Sequence, residues 1–226
     1  MRVVDLSCEL FDGMQVYYGD PPFQLTFVRR GQAVGDVTLS RVSAGSHSGT
    51  HVDAPLHFIP GGRSVGEIGP EHLVVRAVMA DVSRGPLGSP IEPEELREAI
   101  GGRRPEGLVI NTGIWAHRGE DLYMYAWRFL SRRSADYLSE LGLKVVATDA
   151  MSVGGWPGAP GAPWPPTCSA DDVSYVHVRL LGSGIVIVEG LCNLDQLRGC
   201  DEFTLVVAPL KVRGAEASMA RVLAIC

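Results

Sequence analysis

Residues 46–58 read Ser-His-Ser-Gly-Thr-His-Val-Asp-Ala-Pro-Leu-His-Phe, which places His47, His51, Asp53 and His57 in one short run. Imidazole nitrogens and a carboxylate are donors that bind a borderline divalent metal, and a further histidine beside them can carry protons. A lone histidine among apolar residues is ordinarily a satisfied core or surface group. Four spaced histidine and aspartate side chains so close together point to a metal site instead. The four-residue spacing of His47 and His51 would share a helix face, but Gly49 and Pro55 argue against a helix. In an extended chain alternate side chains share a side, so all four residues project together, with Pro55 bending the strand and setting His57 apart. Three ligands and one histidine held just outside, as acid or base, suit that pattern.

Two distant residues fit the same chemistry. Glu189 ends the run Gly-Ile-Val-Ile-Val-Glu, where an unpaired carboxylate leaving a buried strand costs roughly several kcal/mol unless a cation meets it. His177 lies in SADDVSYVHVRLLG, residues 169–182. Ser169 and Asp172 make a capping-box-like start there, and Val173, Val176, His177, Leu180 and Leu181 fall on one stripe before Gly182. The stripe turns His177 inward. His72 and His117 lie in no such company.

Elsewhere, β-branched apolar runs predict strands over 23–29, 37–42, 74–82, 107–111, 145–148, 184–189 and 203–209. A helix opens at Pro93 with Glu94 and Glu95 in its first turn and stops at Gly101; a second begins at Ser134 and closes on Gly142. The Pro/Gly-rich stretch 154–166 is a loop, and Trp156 and Trp164 within it make it a lid or an interface arm. No repeat or linker divides the chain, so residues 1–226 are expected to form one domain.

Composition narrows the class. The chain is 46% hydrophobic with a net charge of −6, a mean hydropathy of +0.11 and a pI near 5.5. A nucleic-acid binder would show a basic patch; Arg29-Arg30, Arg103-Arg104 and Arg132-Arg133 are scattered doublets. No apolar stretch approaches the roughly 20 residues that span a bilayer, and acids occupy the start where a signal peptide would be apolar. A cytoplasmic protein is expected. Cys8, Cys168, Cys192, Cys200 and Cys226 are odd in number and widely spaced, without a CxxC pair. Neither a disulfide framework nor a zinc knuckle is expected, and the thiols read as buried or idle.

The run from His47 to Phe58 resembles the HxGTHxDxPxHF signature of the cyclase family of metal-dependent hydrolases, whose best known branch is bacterial kynurenine formamidase. The likeness continues through Asn111-Thr-Gly113, similar to the family's RTG strand end, and Asp149 to Ser152, similar to its DxxS segment. His177 with Glu189 resemble its second-half ligands. APLK at 208–211 and GAEAS at 214–218 are similar to its closing LPL and GxDGSP stretches, so the whole chain is covered.

That resemblance implies an α/β, single-domain swivelling β/β/α-type fold with a mixed sheet and few helices, forming a homodimer or higher homo-oligomer. It implies a divalent metal, zinc or manganese, with one or two ions per chain. By position, His47, His51 and Asp53 hold the first metal, Asp53, His177 and Glu189 the second, and His57 takes the acid/base role. The implied reaction is cleavage of an amide, lactam or lactone bond of a small aromatic compound by a metal-bound hydroxide. Departures from the formamidase pattern, Tyr17 in place of its tryptophan and Asn111 in place of its arginine, weigh against formylkynurenine. Tyr17, Phe58, Trp156 and Trp164 offer flat apolar surfaces for a planar substrate. Two alternatives stand beside this reading: a metal-dependent cyclase closing a ring in an aromatic polyketide-type intermediate, and a binding or structural protein. The spare base His57 counts against the second.

Overall fold

Along the longer strands, every second apolar side chain belongs to a different layer, and this alternation builds the molecule. The computed structural model describes residues 1–226. Its strands are β1 (Val3–Asp5), β2 (Gln24–Arg29), β3 (Leu39–Ser43), β4 (His51–Asp53), β5 (Val74–Asp81), β6 (Pro90–Ile91), β7 (Gly107–Asn111), β8 (Phe129–Leu130), β9 (Val145–Thr148), β10 (Val186–Glu189), β11 (Phe203–Pro209) and β12 (Ala217–Ile225). The helices are α1 (Pro93–Ile100), α2 (Asp121–Tyr125), α3 (Arg132–Glu140) and α4 (Ala170–Gly182).

The main sheet runs β1-β12-β11-β5-β7-β9-β10-β4, and β4 pairs again with β12, closing seven strands into a barrel. β1 and β4 share one edge of β12, β1 along Leu223–Ile225 and β4 along Ala217–Met219. Closure leaves the ring without an edge strand. β5, β7, β9 and β10 are parallel neighbours. Parallel pairs need long crossovers, and α1, α3 and α4 occupy them.

Val52, Ala77, Val109, Ala147, Val188 and Val222 meet in one buried cluster drawn from all around the ring. Small side chains fill this interior because seven strands enclose little space. One residue along, Val78, Ile110, Val146 and Ile187 face the other way, onto Leu96 of α1, Leu138 of α3 and Leu180 of α4. A third cluster, built on Tyr123, Tyr125, Trp127, Phe129 and Trp156, sits beside them. The architecture is the expected mixed α/β fold with few helices.

Helix ends follow local chemistry. Proline occupies the first turn of α1, and Gly101 ends it in the left-handed region at φ 60°. Ser169 opens α4 with a complete capping box to Asp172. α3 begins at Arg132, earlier than expected, because Ser131 rather than Ser134 is the cap: its Oγ accepts the Ser134 N–H at 3.1 Å. No strand is expected at β1, β6, β8 or β12, and no helix at α2. β12 mixes Ser, Met and Arg with small apolar residues, and its identity comes from having partners on both edges.

The expectation of unpaired thiols is overturned for four of the five cysteines. Cys8 bonds Cys192 and Cys200 bonds Cys226, leaving Cys168 free. The partners lie 184 and 26 residues apart. They meet because the N-terminal segment runs along β12 and across the segment after β10, where the Cys192 N–H donates to Leu6 O at 2.8 Å.

β2 and β3 form a separate two-stranded ribbon in which every residue is exposed. No helix is long and apolar enough to cross a membrane.

Candidate metal centre and active site

β4 contributes only three residues, and its parity decides the site. Val52 points into the barrel cluster, so His51 and Asp53 face the other way. On β10 the same parity gives Glu189 to the outer side, and the antiparallel register sets Glu189 opposite His51. α4 covers this seam and brings His177 onto it. Strand pairing and one helix thus assemble residues that are up to 138 positions apart (51 to 189) in the chain.

A close backbone approach makes the seam possible. Gly190 follows Glu189 with φ +69°, and a Cβ there would lie 2.5 Å from Gly49 O. Only glycine fits that contact. Thr50 locks it, donating from Oγ1 to Gly190 O at 2.6 Å and accepting the Cys8 N–H at 2.9 Å.

His51, Asp53, His177 and Glu189 are all under 5% exposed. His47 Nδ1 lies 2.9 Å from Asp53 Oδ1, and His51 Nε2 lies 3.3 Å from the same oxygen and 3.4 Å from Glu189 Oε2. His177 Nε2 is 3.5 Å from Glu189 Oε1. Yet both oxygens of Asp53, and Nε2 of His51, are buried without a hydrogen-bond partner. Such groups are costly to bury unmatched. Close but misaligned donors are what lone pairs converging on a common ion look like.

The donors form two groups, His47, His51 and Asp53, and Asp53, His177 and Glu189, with ligand atoms within 4.8 Å of one another and Asp53 common to both. Backbone carbonyls set the tautomers: His51 Nδ1 pairs with Gly49 O at 3.0 Å and His177 Nδ1 with Val173 O at 2.8 Å. Each bond puts the proton on Nδ1 and leaves the Nε2 lone pair facing the carboxylates. The Val153 N–H donates to Glu189 Oε1 at 2.7 Å and pins that carboxylate. The residues fit a divalent metal.

Electrostatics of the chain alone tell the same story. Burial would lower the His51 pKa, but the carboxylates of Asp53 and Glu189 outweigh it and raise it to about 10. Asp53 is itself well below the usual carboxylate range: burial opposes this, and His47 and His51 overcome it. This polar knot wants positive charge, supplied by protons or by metal.

His57 ends the 3₁₀ turn Pro55–His57 rather than extending β4. The turn folds its ring back to 4.2 Å from that of His47 and 6.1 Å from that of His177. Burial lowers its pKa. Phe58 stacks on His177 at 4.3 Å with the planes 19° apart.

The site opens into a cavity of about 260 Å³ lined by His47, His51, His57, His177 and Glu189 together with Tyr17 and Phe58. Trp156 and Trp164 do not line it. Trp156 is 1% exposed and packs at the back of Tyr17, ring centres 5.8 Å apart, while Trp164 stacks on Tyr125. The tryptophan loop therefore forms the wall behind Tyr17 and not a lid over the cavity. Gln15, Asp20, Tyr123, Met151, Ser152 and Val173 also line it and were not singled out in the sequence. Ser152 had a signal, as the serine of the DxxS-like segment; its Oγ lies 3.5 Å from His177 Nε2.

Asp149 of the same segment serves the scaffold. It accepts from the Thr112 N–H and hydroxyl and from the Trp115 N–H, tying the ends of β7 and β9 together. Burial raises its pKa to about 6 against those bonds.

Comparison with known proteins agrees with this geometry. Residues 4–154 match the family model Cyclase, described as "Putative cyclase". The chain is 28% identical over 222 residues to a kynurenine formamidase of Salinibacter ruber, covering 98% of this chain and 96% of that protein. Its fold superposes on isatin hydrolase A from Labrenzia aggregata, solved with benzyl benzoate, with a TM-score of 0.84, 26% identity and coverage of 99% and 93%. Isatin hydrolase A from Ralstonia solanacearum gives a TM-score of 0.80 at 25% identity, covering 99% of this chain and 91% of that one. On the matched family model, which covers residues 4–154, this chain belongs to the cyclase family of metal-dependent hydrolases.

Proposed function

We propose that the protein hydrolyses an amide or lactam bond of a small aromatic compound, using a divalent metal held at the β4–β10 seam. The observation that carries this reading is the pair of buried donor groups sharing Asp53, with orphaned lone pairs, at the floor of an aromatic-walled cavity. Relatives that open C–N bonds, a formamidase and isatin hydrolases, support it.

A bound divalent ion supplies Lewis acidity, polarising a carbonyl oxygen and making water a nucleophile near neutral pH. His47, His51 and Asp53 would hold one ion, and Asp53, His177 and Glu189 a second. Mixed nitrogen and oxygen donors suit zinc or manganese. His57 takes a proton on a ring nitrogen and returns it to the leaving nitrogen; its depressed pKa keeps it neutral and receptive near pH 7. Tyr17 and Phe58 clamp the flat face of the substrate, and Trp127 and Trp156 brace Tyr17 from behind. The modest cavity favours a compact ring over the larger intermediate that ring closure would require.

The same reading includes self-association. The β2–β3 ribbon and its connecting loop expose Val28, Val37, Leu39 and Val42 by more than half. Residues 23–43 carry three arginines against one aspartate on a chain of net charge −6. A basic, apolar ribbon is complementary to the acidic remainder of a second copy, and a homodimer would cover it.

The test is turnover of N-formylkynurenine and of isatin by the purified chain loaded with zinc or manganese, with a chelator control. Chelator-sensitive ring or amide opening is the expected result. A metal-loaded chain inert toward both would overturn the C–N hydrolase reading.

A further inference from the structure

Three histidines face the metal groups, and two of them are oriented by backbone carbonyls, His51 by Gly49 and His177 by Val173. His47 has no such carbonyl. Its Nδ1 is the nitrogen near Asp53, so its proton belongs on Nε2, and Nε2 is buried without a hydrogen-bond partner. The acceptor in front of it is Glu216, whose Oε1 lies 3.6 Å away. A movement of a few tenths of an ångström closes that bond.

Glu216 is held for this task at both ends. Its backbone carbonyl accepts the Ala54 N–H at 2.9 Å, and the next residue, Ala217, pairs with Asp53 across β12 and β4. The Ser46 hydroxyl donates to Oε1 at 2.5 Å and aims the carboxylate. With its side chain 41% exposed, Glu216 gains little stability from a surface ion pair. Stability does not account for the arrangement; orientation of a ligand does.

We infer that Glu216 is the positioning residue of His47, accepting the Nε2 proton so that Nδ1 stays turned toward Asp53. This rests on the metal reading above. Carboxylates placed behind metal-bound histidines typically change metal affinity by about 10–100-fold.

The experiment is Zn²⁺ affinity, measured by competition with a chromophoric chelator, for the wild type, Glu216→Ala and Glu216→Gln, beside the melting temperature of each metal-free chain. Glu216→Ala should weaken zinc binding by about 10–100-fold with an unchanged metal-free melting temperature. Glu216→Gln, whose amide oxygen still accepts from Nε2, should recover most of the loss. Zinc binding by Glu216→Ala as tight as the wild type would overturn the inference alone. A loss matched by a fall in metal-free melting temperature and not relieved by glutamine would also overturn it, in favour of a packing role. A wild type that binds no zinc would bring down the metal reading itself, and this inference with it.

Discussion

The β4–β10 seam and the β2–β3 ribbon break the rule of residue placement in opposite directions. The seam buries two carboxylates and two histidines at under 5% exposure; the ribbon leaves a whole set of valines, leucines and a phenylalanine in water. Each arrangement is unfavourable in the isolated chain, the first through unmatched polar groups and the second through uncovered apolar area. The difference teaches what each region is waiting for. Convergent lone pairs call for a cation, whereas a flat apolar surface calls for another surface.

Asp53 is the sharpest place to break the seam, because both donor groups use it. Asp53→Asn, which keeps the side-chain volume, should lower zinc affinity by more than the roughly 10–100-fold typical of a partner behind a ligand and abolish turnover. Calorimetric titration with zinc checks it, and retained affinity would refute the shared-ligand geometry. His57→Ala is next in size. Turnover should fall by about 10²–10⁴-fold while zinc content, read by atomic absorption, stays at the wild-type level.

The ribbon is tested through assembly. Val28→Asp with Leu39→Asp removes apolar area worth roughly 1.5–3 kcal/mol per side chain, so the dimer dissociation constant should rise by at least about tenfold. Sedimentation equilibrium measures this, and zinc affinity should be unmoved. An unaltered assembly state would show that the ribbon is not the interface.

The smallest effect links the seam to pH. His51 in the metal-free chain has a pKa raised from 6.5 to about 10 by Asp53 and Glu189, against the opposing effect of burial. Because the folded state holds the proton more tightly, this stabilisation is complete below pH 6.5 and is lost as pH climbs through about 10. Thermal melts of chelated protein should therefore fall across that window, and melts with zinc bound should lose this dependence. Equal slopes with and without metal would show that protons and metal do not compete for the seam.

Much of this was legible in the chain. Residues 107–111 and 145–148 match their expected bounds because continuous apolar runs mark strands buried on both faces, and 203–209 matches because its apolar residues alternate into the core. α1 and α4 were bounded by their own caps. The five donor residues, His47, His51, Asp53, His177 and Glu189, and the neighbouring His57 stand out by type and spacing, and the structure brings them together. What failed has a common cause. The extended run bent at Pro55 is shorter than its spacing predicts: β4 is three residues long, and the bend is a 3₁₀ turn that carries His57 to the site. Trp156 read as a substrate surface because a Pro/Gly-rich loop is normally outside, yet it is packed into the aromatic cluster.

By itself, then, the amino-acid sequence determined the chemistry: which side chains can bind metal, which strands are buried, where two helices begin. Those properties are local, set by donor atoms, β-branching and caps within a few residues. Only the tertiary structure decided that β4 closes a barrel between β10 and β12, that Cys8 meets Cys192, that Tyr17 and not Trp156 faces the cavity, and that Glu216 stands behind His47. Each of these depends on which distant strands become neighbours, and that is fixed by the register of the closed sheet and by burial summed over the whole chain.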